Sequence, residues 1–150
     1  MRTIPVLIIA VYAALTPTIC QARLGDTYEQ CVARWGQPMP GGDSPQTGSA
    51  TDTEVLFENG GYIITVLFLH GIVGEEAIFK VDKSSLSDTE KKTLLDSESA
   101  GSTWKRMDPT IEAYIRADGN AYCIYHTEGR ATGFLFYTKE FYDAMQAKAN

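Results

Sequence analysis

Few groups in this chain have chemistry to offer: three cysteines, two histidines, an adjacent Glu75-Glu76 pair and a late run of tyrosines. Cys31, Cys123, His70 and His126 make a zinc set by count. Cys123 and His126, however, stand three apart on an expected strand, where such residues point to opposite faces. No metal is expected, and no cofactor. A thiol nucleophile would need a neighbouring base; His70, placed in a turn before Gly71, reads as a solvated side chain. If Cys20 leaves with an export leader, the remaining two cysteines allow one pairing, Cys31–Cys123. That bridge would close a loop of about 90 residues, worth on the order of 4 kcal/mol by chain entropy. The alternative is two separate buried thiols.

Glu75 and Glu76 sit side by side in an expected strand and face opposite sides, so they cannot flank one substrate bond. A two-residue register sets Val66 opposite Glu75 and Phe68 opposite Val73, making Glu75 the carboxylate whose ionisation burial would oppose. The sequence holds no phosphate-binding loop, dinucleotide fingerprint, nucleophile elbow or zinc-protease helix. No catalytic residue is expected.

Five of the eight tyrosines, Tyr114, Tyr122, Tyr125, Tyr137 and Tyr142, fall near the C-terminus. With Cys123 turned inward, Ala121 and Tyr125 turn with it, and Tyr122 and Ile124 face the other side of the sheet. A three-residue Asp118–Asn120 loop places Arg116 opposite Tyr122 and Tyr114 opposite Ile124. Tyr114, Arg116, Tyr122 and Ile124 then form one aromatic, Arg-bearing open face, a composition enriched at protein interfaces. The competing reading is that tyrosine simply suits strands.

The elements that would hold these groups are legible along the chain. Asp26 and Glu29 fit a capping box for a short helix with Tyr28, Cys31, Val32 and Trp35 on one stripe, stopped by Gly36 and Pro38. Residues 37–53 are rich in Pro and Gly and read as a flexible loop. A meander follows: Val55–Glu58, a turn at Asn59-Gly60-Gly61, Tyr62–Leu69, a turn at His70-Gly71, and Ile72–Val81. Ser87 and Glu90 cap a helix over 88–98 that turns Leu94 and Leu95 inward. The strands Ile111–Ala117, Ala121–His126 and Thr132–Thr138 come next, with turns at Asp118-Gly119-Asn120 and Glu128-Gly129. Thr138 caps a last helix bearing Phe141, Tyr142 and Met145. The order α-βββ-α-βββ-α implies an α+β, two-layer sandwich: an antiparallel sheet with helices on one face.

The N-terminus reads as an address. Arg2, the apolar run Ile4–Leu15, the break at Thr16-Pro17-Thr18 and the Cys20-Gln21-Ala22 boundary form a signal peptide over residues 1–22. The run is shorter than the roughly 20 residues of a membrane anchor, so no stable membrane insertion is expected after cleavage. Ile19 before Cys20 does not suit lipid attachment. Residues 23–150 remain as a single α+β domain, exported to the periplasm or secreted. A net charge of −6 argues against nucleic acid and anionic membranes as partners.

Leu24-Gly25-Asp26-Thr27, Glu29-Gln30-Cys31 and Trp35-Gly36-Gln37-Pro38, followed by Phe68-Leu69-His70-Gly71-Ile72-Val73, resemble the opening of the SmpA/OmlA small envelope-protein domain, akin to the β-lactamase-inhibitor-protein fold. The resemblance spans about residues 24–81. The chain departs from the family in lacking an acylated cysteine, in carrying Cys31 where an aliphatic residue is usual, and in its long 37–53 loop. The resemblance implies a non-enzymatic module that binds other envelope proteins, and it names no binding residues. The expected function is therefore a protein-binding or envelope-assembly module with a partner in the envelope or outside the cell. The alternatives are an inhibitor of a secreted or periplasmic enzyme and a small hydrolase with an unrecognised site.

Overall fold

The computed structural model describes residues 23–40, 53–127 and 132–149. The expected signal peptide, most of the 37–53 loop and the Glu128-Gly129 turn lie outside the described residues. The elements are α1 (Tyr28–Trp35), β1 (Thr53–Asn59), β2 (Tyr62–Leu69), β3 (Ile72–Lys80), α2 (Asp88–Ser97), β4 (Trp104–Arg106), β5 (Ala113–Arg116), β6 (Ala121–His126), β7 (Gly133–Thr138) and α3 (Lys139–Ala149). The fold is α+β: the seven strands form one open antiparallel sheet in the order β1-β2-β3-β7-β6-β5-β4. Two meanders thus meet at the β3–β7 pair. The second has one strand more than the sequence reading gave it. β4 is only three residues long, with Lys105 and Arg106 exposed at the sheet edge, so it carries no alternating signature.

Local chemistry explains the elements. Ser87 caps α2 through the Glu90 N–H while the Glu90 carboxylate accepts from the Ser87 N–H at 2.7 Å, the reciprocal pair expected. The box on α1 lies one residue later than the sequence reading placed it. Thr27 is the cap and Gln30 returns the bond to its N–H at 2.7 Å. Asp26 instead accepts from the Arg23 N–H at 3.0 Å and pairs with Arg34 at 3.1 Å. The His70-Gly71 turn carries φ of 54° and 82°, the doubly positive geometry that matches the twist of a tight hairpin. Thr138 accepts from the Phe141 N–H at 3.1 Å and starts α3. Among the described residues, no helix is long and apolar enough to cross a membrane.

The core fills one side of the sheet. Trp35 of α1 packs on Phe57 of β1 at 4.9 Å between ring centroids, and Tyr28 on Phe68 of β2 at 6.3 Å. Farther along the sheet, Lys91 of α2 sits 3.8 Å over the Tyr125 ring, and the Trp104 indole donates to the Leu95 carbonyl at 2.7 Å. Phe57, Val66, Val73 and Phe136 are wholly enclosed between these helices and the strands.

Two registers differ from the sequence reading, each by one residue. Phe68 opposes Val73 as expected, but Val66 opposes Glu76, not Glu75, because the ladder shifts between Leu67 and Phe68 and leaves Gly74 as an extra residue in β3. In the β5–β6 hairpin, Ile115 opposes Tyr122 and Ala113 opposes Ile124. The connection runs over four residues, 117–120, and not three. An even count reverses the parity, and a one-residue slip moves every side chain to the other face.

The expected Cys31–Cys123 disulfide is also corrected: both cysteines are free and buried. The ring contacts of α1 lie on β1 and β2, whereas Cys123 is on β6, three strands beyond β2. At ordinary strand spacing that offset is roughly 14 Å, and a disulfide needs Cα atoms within about 7 Å. The ring contacts of the first helix fall on the first meander.

Gly74 is a tight seat beside α3. A Cβ built there would lie 2.6 Å from Cδ2 of Phe141, a ring that is itself buried. Gly74→Ala is expected to cost about 1–3 kcal/mol by overpacking, read as a lowered urea midpoint. Phe141→Leu in the same chain should recover part of that loss. Strict additivity of the two substitutions would show that the ring is not what excludes the methyl group.

Candidate functional site

The sheet side opposite α1 and α2 is lined by alternate strand residues. Ile63, Leu67, Phe79, Leu135, Ile124 and Ile115 run across it from β2 to β5, all half-buried. Exposed Glu54 and Glu58 on β1 and half-buried Glu75 on β3 share this side, with Lys105 at the far edge. α3 leaves the end of β7 and covers only one corner. There Tyr142 meets Tyr122 and Tyr137 at centroid distances of 5.3 and 5.7 Å, and Tyr122 and Tyr137 are themselves stacked at 5.7 Å. The three rings form a half-buried aromatic cluster. Burial pushes the Tyr137 hydroxyl above its ordinary value, with Tyr142 adding to the shift.

The structure divides the four residues expected to share an open face. Tyr122 and Ile124 do lie on the face away from α1 and α2. Tyr114 pairs with Cys123 and Arg116 with Trp104, which turns both toward the helix layer. Arg116 bonds Asp118 through Nε at 3.0 Å and the Glu98 carbonyl through Nη1 at 3.2 Å. Tyr114 packs on the core, where burial and then Glu112 push its hydroxyl above the ordinary value. The partners that Tyr122 does have, Tyr137 and Tyr142, were not joined to it by sequence reasoning. Tyr137 was within reach, since it alternates with inward Phe136; Tyr142 required knowing where α3 turns. Of the three apolar residues on α3, Phe141 is buried, Tyr142 half-buried and Met145 exposed.

The acidic residues are also rearranged. Glu75 faces the open side beside Leu67 and Tyr137; burial raises its pKa and Glu54 adds to this. Glu76 is 0% exposed, and neither carboxyl oxygen has a hydrogen-bond partner. Glu98, at the end of α2, is 1% exposed; Oε2 accepts from the Leu24 N–H at 3.1 Å, while Oε1 has no partner. Burial drives both carboxyls toward the protonated form. For Glu76, Glu98 and then Asp26 add to that push; for Glu98, burial outweighs the Leu24 bond that favours the charge. A glycine inside a strand pattern was the sequence signal for the bulge that puts Glu76 here.

This arrangement does not make a thiol nucleophile of either cysteine. Burial, then Asp26 and Glu76, push the Cys31 thiol up to about 12, and burial followed by Glu98 raises that of Cys123 well above its ordinary value. Such thiols hold their protons and are poor nucleophiles. Cys123 lies in the core and His126 is exposed on the other face, so the strand separates them as alternation requires. Among the described residues, no group of three His, Cys, Asp or Glu side chains could hold a metal ion. A cleft of about 620 Å³ between α2 and β4–β5 is lined by Trp104, Tyr114 and charged residues. Several of those charges already answer one another, as Lys91 does Glu112 at 2.7 Å and Lys92 does Asp96.

At neutral pH, iodoacetamide is therefore expected to leave Cys31 and Cys123 unmodified in the folded protein and to alkylate both in urea, as read by peptide mass mapping. Recovery of a linked Cys31–Cys123 peptide from a non-reducing digest would reject the free-thiol arrangement.

Comparisons of the chain with protein-family models, with curated proteins and with solved structures found no match.

Proposed function

We propose that this chain is a non-enzymatic, exported binding or assembly module that presents the sheet face opposite α1 and α2 to a protein partner. The observation that carries the reading is the composition of that face. An open sheet normally places polar residues on its solvent side. Here a band of aliphatic and aromatic side chains crosses five strands, ends in the Tyr122–Tyr137–Tyr142 cluster, and is bordered by Glu54, Glu58 and Glu75. Contiguous, half-exposed apolar surface of this kind marks interaction sites, and tyrosine is a favoured anchor. The acidic border selects a partner whose own apolar patch is flanked by Lys or Arg. The lack of an activated nucleophile among the described thiols supports binding over hydrolysis. Export is part of the same proposal and rests on the leader-like first 22 residues, as does a partner in the envelope or beyond it. The SmpA/OmlA-like opening points to the same kind of role.

The test is site-specific photocrosslinking in the cells that make the protein, with the probe at Leu135 on the open face or at Lys92 on the solvent side of α2. A heterologous protein adduct from position 135 but not from 92 is expected. Leu135→Glu should weaken capture of that partner about tenfold, as the loss of one central apolar anchor would. An adduct only at position 92, or one of twice the chain's mass, would overturn the reading; the latter would mean that a second copy covers the face.

A further inference from the structure

We propose that residues 23–27 form a strap whose docking onto β3 and α2 is gated by protons held on the Glu76–Glu98 pair. Besides the Asp26–Arg34 pair and the Thr27 cap that join it to α1, few bonds tie the strap to β3 and Glu98. The Gly25 N–H donates to the Val73 carbonyl at 2.8 Å, the Val73 N–H to the Asp26 carbonyl at 2.8 Å, and the Leu24 N–H to Glu98 Oε2 at 3.1 Å. Thr27 adds an isolated bridge to Ile72. This docked segment closes over two fully enclosed carboxyl groups, on which three oxygens lack any donor.

Arginines face the pair, Arg34 toward Glu76 and Arg23 and Arg116 toward Glu98, but burial outweighs their attraction and the three oxygens still lack a donor. From the strap, Arg23 and Asp26 face it; from α1, Cys31 and Arg34; from β5, Arg116; from β6, Cys123. Arg34 is joined to Asp26, and Arg116 reaches Asp118 and the backbone carbonyl of Glu98 rather than its carboxylate. Both thiols keep their protons. Protons on the pair provide the missing donors and remove the repulsion between two enclosed anions.

Lifting the strap admits water, and a hydrated carboxyl returns to its ordinary value near 4.5. In the docked state the values are raised, so between the ordinary and the raised values opening releases protons. Docking is therefore strongest below the ordinary carboxylate range and weakens as pH climbs toward the raised values. Each proton released increases the opening constant about tenfold per pH unit within that window.

The experiment is hydrogen exchange of the full chain from about pH 5.5 to pH 8, corrected for the chemical exchange rate, following the Leu24, Gly25 and Val73 amides, with Val66 and Phe136 as core references. The strap amides should lose protection by about tenfold per pH unit or more while the core amides hold theirs. A chain carrying both Glu76→Gln and Glu98→Gln should show strap protection independent of pH. Glu76→Met with Glu98→Gln provides the same neutral pair should the first combination fold poorly. The proposal fails if wild-type strap opening is flat with pH, if the neutral chains keep the wild-type slope, or if core and strap amides open together. Each outcome is independent of whether the open face binds a partner.

Discussion

The extra residue at position 74 decides which of two neighbouring carboxylates enters the core. Without the bulge, Glu75 would oppose Val66 in the helix layer and Glu76 would face outward. With it, the order is reversed. The bulge persists because Gly74 has no side chain and Phe141 fills the place where one would stand. Phe141 belongs to α3, so this close approach helps to fix the C-terminal helix against the first meander. The same contact sets the path of α3, which brings Tyr142 onto Tyr122 and Tyr137. One backbone irregularity thus orients both the enclosed acids and the aromatic corner.

Coverage of the sheet gives the second constraint. α1 and α2 together cover one side of the seven strands, and α3 shields only a corner of the other. Phe57, Phe134 and Phe136 lie buried under the helices, while Tyr122, Tyr137 and Tyr142 stand half-buried at the open corner. The aliphatic band between them has no structural duty on the helix side. Its cost in exposed apolar area is offset only if something else covers it, which is the physical content of the binding proposal.

Much of the fold was legible because it is specified locally. Ser87 and Glu90, the paired glycines after Asn59 and the His70-Gly71 turn each name their own geometry within a few residues. What escaped was specified at a distance or by parity. Gly74 announces an irregularity, but only the ring of Phe141, far along the chain, explains why it is kept. The 117–120 connection differs from the expected loop by one residue, and that one residue sent Tyr114 and Arg116 to the opposite face from Tyr122 and Ile124. β4 was missed because three residues with two exposed charges have no period to read. The disulfide failed for a related reason. Helical spacing turned Cys31 inward and the supposed bridge turned Cys123 inward, yet an inward direction does not fix which strand lies beneath which helix.

The enclosed acids bear on how the domain spends its stability. A buried acceptor without a partner costs about 1–3 kcal/mol, and Glu76 and Glu98 present three such oxygens. Replacing buried ionisable groups with apolar ones of similar volume is often stabilising, so these glutamates do not serve the equilibrium stability of the fold. Their cost falls when each proton fills the role of a missing donor. A domain of this size can carry such a cost only if Phe57, Val66, Val73 and Phe136 are packed as completely as they are here. The location of the acids matters as much as their burial. They lie beneath residues 23–27, which three hydrogen bonds tie to β3 and Glu98, so any relief gained by hydration is released through local opening there before it can unfold the sheet.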